Sequence, residues 1–306
     1  INYKVKFGSP GKKKYSWSLL FGKAIAKFAY TLNKINPNLV VLTGDRIETL
    51  ALCIACSYMN IPIAHIQAGD KSGHIDDLAR AAISKFAHIH FAPSRQACKR
   101  LQTWGEEKKR IFFTGAPQLD DMLSINKKDK NFFIIIFHPV LNEQNKINDQ
   151  LNSLMDALVE TKSKALWIYP NTDMGFNLII SKLKKMQNKN IELVSNLERS
   201  KFLKLLGESS GMIGNSSSGI IEASMLKKPV INIGNRQNGR PQSSNIVNSN
   251  YLKKNIIEKI KFIKNNKEFL KNIKKCKNPY YKKNSSKIIY NILTNLKVES
   301  KILKKY

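Results

Sequence analysis

Acidic residues are scarce in this chain: 22 Asp and Glu stand against 52 Lys and Arg, a formal charge of +30 over 306 residues. That imbalance excludes an acidic, cation-collecting surface and points toward polyanions: nucleic acid, a membrane surface or a phosphorylated substrate. Yet the Lys and Asn residues run through the whole chain, including segments patterned as ordinary helix exteriors. No zinc-finger, single-strand-binding or helix-turn-helix pattern accompanies them, so drift toward Lys, Asn and Ile outranks nucleic-acid binding, and no nucleic-acid partner is expected. A basic field still raises the encounter rate of a small anionic substrate.

Cysteine is also sparse, with Cys53, Cys56, Cys98 and Cys276. Cys53 and Cys56 form a CxxC, but inside an apolar helical run and without a second pair; a core helix face outranks a metal site or redox pair. No apolar run reaches the roughly 18 residues a membrane-spanning helix needs. With no signal peptide either, the expectation is a cytoplasmic protein without a membrane partner. The apolar share of 42% supports a sizeable core, which excludes wholesale disorder, and the length suits two domains.

Short apolar runs alternate with helical patterns. Residues 19–35 have helical spacing and stop at Asn36-Pro37-Asn38; 39–42 read as a buried parallel strand. Helix 48–59, strand 61–66, helix 76–86, strand 89–92, helix 94–103 and strand 111–113 follow. Residues 121–131 read as a linker. A second series has strands 132–137, 165–169, 191–194, 211–213 and 229–233, with helices 147–160, 174–186, 198–207 and 219–226. Basic helices 255–275 and 285–296 close the chain. The alternation predicts a doubly wound α/β fold. The predicted domains are 1–125, incomplete at its N-terminal end, and 126–284, with 285–306 as a helix packing back on the first. The first is read as truncated because the chain opens on polar, Gly- and Lys-rich sequence in place of a first strand and Gly-rich turn.

Functional groups in such folds gather at the carboxyl ends of strands, and five polar clusters fall there. Asp45-Arg46 follows strand 39–42; Asp45 suits proton handling or helix capping, and Arg46 suits a phosphate or carboxylate. Gln67 to His74 form a loop with Gly69, Asp70 and Gly73, and lead to Asp76, Asp77 and Arg80. These three lie about one turn apart, as acid and base in a cleft or as a capped helix with an i,i+3 pair. His138 follows strand 132–137 and titrates near working pH, although a histidine bonded to backbone reads nearly as well. Gly214-Asn215-Ser216-Ser217-Ser218-Gly219 then opens a helix carrying Glu222. Three serines exceed what a cap needs, which favours an anion site, and the GK[ST] ending of a P-loop is missing. Arg236 and Arg240 lie in a Gly-containing loop, suited to phosphate or to solvent.

Taken in order, GDR (44–46), HIQAGDKSGHIDD (65–77), HPV (138–140), YPNTDMG (169–175), GNSSSGIIEA (214–223) and PVINIGNRQNGR (229–240) resemble the UDP-N-acetylglucosamine 2-epimerase family, above all its hydrolysing branch. The resemblance covers about residues 20–250. It implies two Rossmann-like domains with a cleft between them, as in glycosyltransferases of the B type. It also implies a homodimer or homotetramer, a UDP-sugar substrate, and no NAD, other cofactor or catalytic metal. Asp45, Asp70 and Asp77 correspond to carboxylates around the sugar, and Arg46 and His138 join them as catalytic candidates. Arg80, Asn171, Asp173, Ser217, Ser218, Gly219, Glu222, Arg236 and Arg240 are the implied substrate and UDP contacts, with the serines at the diphosphate and Glu222 at the ribose. The chain departs from the pattern at Gln67, where relatives have Glu or His, at Asp70 in place of Glu, and at Ala81, where hydrolysing relatives have His. Asn278-Pro279-Tyr280 keeps a family motif but loses its following Gly-Asp-Gly. The expected activity is hydrolysis of UDP-N-acetylglucosamine to N-acetylmannosamine and UDP through a glycal. A UDP-diacetamido-trideoxyhexose substrate, a non-hydrolysing epimerase and a non-catalytic UDP-sugar binder are the alternatives.

Overall fold

The computed structural model describes residues 3–7, 15–73, 76–125, 128–171, 173, 175–186 and 188–296. The chain divides into two compact units. One comprises Ile1–Lys71, Ile75–Pro117 and Lys282–Tyr306; the other comprises Ser72–His74 and Gln118–Tyr281.

In the first unit, α1 (Ser16–Ile35) precedes β1 (Val40–Thr43), α2 (Ile47–Tyr58), β2 (Ile63–Ile66), α3 (Asp76–Phe86), β3 (Ile89–Ala92), α4 (Arg95–Thr103) and β4 (Ile111–Phe113). The strands form a parallel sheet in the order β1-β2-β3-β4. Asn36 ends α1 in a left-handed conformation (φ 48°), returning its N–H to the Leu32 carbonyl before Pro37 forbids another turn. On one face of the sheet, Leu42 and Ile63 pack with Cys53, Cys56 and Ile83. Both cysteines are fully buried, and burial pushes the Cys56 thiol up to about 12, as a core helix face requires.

The second unit contains β5 (Phe133–Ile136), α5 (Ile147–Glu160), β6 (Ala165–Ile168), α6 (Phe176–Lys185), β7 (Ile191–Val194), α7 (Arg199–Glu208), β8 (Gly211–Gly214), α8 (Ser217–Ile220), α9 (Glu222–Met225), β9 (Val230–Ile233), β10 (Ile246–Ser249), α10 (Lys253–Asn265) and α11 (Lys267–Ile273). Its parallel sheet runs β10-β9-β8-β5-β6-β7. The chain starts in the middle, winds outward to β7, then returns to lay β8 on the other side of β5. The point between β5 and β8 is where such sheets leave a crevice at their carboxyl ends. Phe133, Ile135 and Phe137 alternate onto one face against Leu151, Leu154 and Leu158 of α5 and Ile256, Ile260 and Ile263 of α10. Every residue of β5 is buried, which is why its sequence reads as one apolar run.

α12 (Ser285–Thr294) belongs to the first unit, where Ile289 packs with Ala64, Ile89 and Phe91 on the other face of that sheet.

Three local details differ from the sequence reading. Helix 255–275 is two helices, because the Asn266 side chain accepts from the Phe269 N–H and starts a new one. Helix 219–226 breaks at Ile221, whose carbonyl accepts from Asn278 Nδ2 at 2.7 Å. Strand β10 pairs with β9, although only two of its four residues are apolar.

Candidate functional site

The β1–α2 turn puts Asp45 beside the buried end of α3. Arg80, Ile83 and Ser84 share the covered face of that helix. Arg80 is only 3% exposed and meets two carboxylates: Asp45 Oδ2 through Nη2, and Asp77 Oδ1 through Nη1 at 2.7 Å. Nη1 also donates to the Asp70 carbonyl at 3.1 Å, so the guanidinium ties three of the predicted positions together. Asp45 and Asp77 keep 20% and 18% of their side chains exposed. The arginine is covered while the acids remain reachable. Arg46 instead turns outward to Glu48 at 3.4 Å, with 45% of its side chain exposed.

His65 was read as part of a strand and as the first residue of the 65–77 motif, with no role of its own. Its Nε2–H donates to the Gly44 carbonyl at 2.8 Å, and Ser84 Oγ lies 3.5 Å from Nδ1. Burial pushes its pKa down to about 3 despite the Gly44 bond, and the nearby His90 and Arg80 press the same way. His65 is therefore a neutral prop for the turn that carries Asp45. Gln67, two residues on, is held at φ 64°, an unusual conformation for a side-chain-bearing residue, of the kind that clusters at functional loops. Gly69 (φ 70°) has no room for a Cβ beside Ala97 and Leu101. His74 lies outside the described residues.

In the second unit, four sequence motifs meet at the carboxyl ends of neighbouring strands β9, β8, β5 and β6. Asn215 is the hub. Its Oδ1 accepts from the His138 N–H at 2.6 Å and its Nδ2 donates to the His138 carbonyl at 2.9 Å. Its own carbonyl accepts from Arg236 Nη1 at 3.3 Å and Gln237 Nε2 at 2.9 Å. His138 Nδ1 accepts from the Asn171 N–H at 3.2 Å, which leaves the neutral ring its proton on Nε2. Arg236 lies 3.6 Å from Asp173.

Ser216 caps α8 by accepting from the Ser218 N–H at 3.3 Å, so Ser217, Ser218 and Gly219 form the helix opening. Gly219 packs closely there: a Cβ would sit 3.0 Å from Val230 Cγ1. Glu222 begins α9 and is 8% exposed. Burial pushes its pKa up, against the pull of Arg199, its own backbone N–H and Arg240. Arg199, whose Nη1 lies 3.7 Å from Glu222, was not singled out from the sequence; one more cation among 52 carries no signal. Among the described residues, no group of three or more His, Cys, Asp or Glu is placed to hold a metal ion, and no helix is long and apolar enough to cross a membrane.

The structure thus yields two constellations: carboxylates on a buried arginine in one unit, and a histidine, arginines and a helix-opening Ser-Ser-Gly in the other. Comparison with known proteins gives them a context. The family described as UDP-N-acetylglucosamine 2-epimerase matches residues 5–294. The UDP-N,N'-diacetylbacillosamine 2-epimerase (hydrolyzing) of Legionella pneumophila is 32% identical over 304 residues, covering 95% of this chain and 79% of the relative. A UDP-N-acetylglucosamine 2-epimerase of Neisseria meningitidis is 33% identical over 253 residues, covering 79% of this chain and 67% of the relative. In fold, the chain is similar to the crystal structure of the Methanocaldococcus jannaschii UDP-GlcNAc 2-epimerase in complex with UDP-GlcNAc and UDP. That match has a TM-score of 0.81 at 21% identity and covers 96% of this chain and 84% of the other. Family match, relatives and fold agree: this chain belongs to the UDP-N-acetylglucosamine 2-epimerase family.

Proposed function

We propose that the chain is a hydrolysing 2-epimerase of UDP-linked N-acetylated amino sugars, turning UDP-N-acetylglucosamine and water into N-acetylmannosamine and UDP. The observation that carries this reading is the pair of part-exposed carboxylates, Asp45 and Asp77, held on the buried Arg80 in a chain of this family. One carboxylate takes the proton from sugar carbon 2 as the bond from carbon 1 to the diphosphate oxygen breaks. The electron pair leaves with UDP, and a carbon 1–carbon 2 double bond remains. Water then adds, its hydroxyl to carbon 1 and a proton to carbon 2 on the opposite face. Arg80 fixes both acids in place.

The second unit takes the nucleotide. The opening of α8, with the Ser217 N–H and the Ser217 and Ser218 hydroxyls, suits the diphosphate, and Arg236 and Arg240 offset the charge that grows on it. His138, with Nδ1 already accepting, is a hydrogen-bond donor through Nε2 and not the base. Glu222 accepts the ribose hydroxyls.

The test is to incubate the protein with UDP-N-acetylglucosamine and follow sugar and nucleotide by proton NMR. Free N-acetylmannosamine with UDP is expected; UDP-N-acetylmannosamine without free UDP would assign the non-hydrolysing reaction instead. A second reading, a UDP-2,4-diacetamido-2,4,6-trideoxyhexose substrate, is favoured by the activity of the Legionella relative, and Gln67 and Ala81 leave room for it. Turnover of that sugar nucleotide alone would select it.

A further inference from the structure

Arg199 stands outside every motif, at the first residue of α7, yet it joins two acids far from it in sequence. Its fork is fixed on one side. Nε lies 3.2 Å from Asp121 Oδ2 and Nη2 3.1 Å from Asp121 Oδ1, a bidentate pair, and Nη2 also donates to the Gln118 carbonyl. The remaining nitrogen, Nη1, lies 3.7 Å from Glu222 Oε1. The arginine keeps 42% of its side chain exposed, whereas Glu222 keeps 11%, so a surface guanidinium reaches down onto a buried acid.

We propose that Arg199 is a positioning residue for the ribose end of the nucleotide: anchored by Asp121 and Gln118, it holds Glu222 in place and in its charged, two-oxygen acceptor form. The proposal rests on the reading that Glu222 accepts the ribose hydroxyls. An ionised carboxylate accepts from both hydroxyls of a ribose diol, while a protonated one must donate with one oxygen. The charges that face Glu222 are Arg199 and Arg240, both cations, and they oppose the burial that pushes its pKa up. Burial also works against the Arg199 charge, but Asp121 and Glu222 outweigh it and raise the Arg199 pKa. Because the Glu222 pKa is raised, ribose affinity is lost as pH falls through it. Removing Arg199 moves that loss to higher pH.

The experiment is calorimetric titration of wild type and Arg199→Gln with UDP from pH 5 to pH 8, with thermal unfolding of each protein to confirm folding. The ratio of the two affinities removes the titration of UDP itself. Arg199→Gln is expected to bind UDP about tenfold more weakly at pH 7, the scale of one hydrogen bond to a charged group. The gap should widen toward low pH and narrow toward high pH. With 2′,3′-dideoxy-UDP, wild type and variant should bind alike. Arg199→Lys keeps the charge and should return the pH midpoint to that of wild type. A variant equal to wild type at every pH, or one equally weakened toward the dideoxy nucleotide, overturns the proposal. Wild type with no affinity for UDP removes the nucleotide reading and this proposal together.

Discussion

Arg80 spans Asp45 and Asp77 while only 3% exposed, so the pairing lies largely out of reach of solvent screening. Asp77→Asn keeps the shape and loses the negative charge. Turnover is expected to fall by at least about 100-fold, the low end of general acid–base contributions, with UDP affinity within about twofold. Rate assays and calorimetry on one preparation check this, and undiminished turnover would exclude Asp77 as an essential group. His65 gives a pH prediction. Its folded pKa is pushed down to about 3, while an unfolded histidine titrates near 6.5. Between those values the unfolded chain binds the extra proton, so stability falls as pH drops through that window. His65→Gln keeps a donor for the Gly44 carbonyl and removes the titration. Urea unfolding at pH 7, 6 and 5 should show a slope shallower than wild type by up to about 1.4 kcal/mol per pH unit.

At the level of elements, the site in the second unit depends on how closely β8 lies against β5. Gly214 sits at φ 140°, opposite Ile136, and a Cβ there would run into the Ile136 carbonyl. The next residue is Asn215, which clasps both backbone groups of His138. Gly214→Ala is therefore expected to push the two strand ends apart. It should cost about 1–3 kcal/mol in chemical denaturation from backbone strain alone. UDP affinity should fall as well, because the His138–Asn215 clasp opens; a variant that loses stability but binds UDP as wild type does would separate the clasp from the nucleotide. The same scale explains the missed β10. Ile246-Val247-Asn248-Ser249 has little apolar pattern of its own, and the partner edge of β9 supplies the pairing. Asn266 was equally hard to read, since one asparagine in a Lys- and Asn-rich stretch looks like its neighbours until its side chain is seen capping Phe269.

Over the whole molecule, the charge of +30 bears on encounter with the proposed UDP-sugar substrate. Exposed charges act over about one Debye length, roughly 30 Å at 0.01 M salt and 3 Å at 1 M. Raising salt across that range is expected to lower kcat/KM for the sugar nucleotide severalfold, chiefly through slower association. A flat salt profile would assign the charge to compositional drift.

What the amino-acid order determined by itself was local: the buried strands, most helices, and the polar motifs placed after strand ends. Apolar periodicity, Pro37 and the serine cap act within a few residues, so a linear chain displays them. The tertiary structure alone decided which polar groups meet. Arg80 finds Asp45 35 residues away, and His138 finds Asn215 77 residues away. Arg199 reaches Asp121 across 78 residues. Such pairings follow from the order in which strands are laid side by side, and that order comes from packing two faces of each sheet at once, a condition no short stretch of sequence contains.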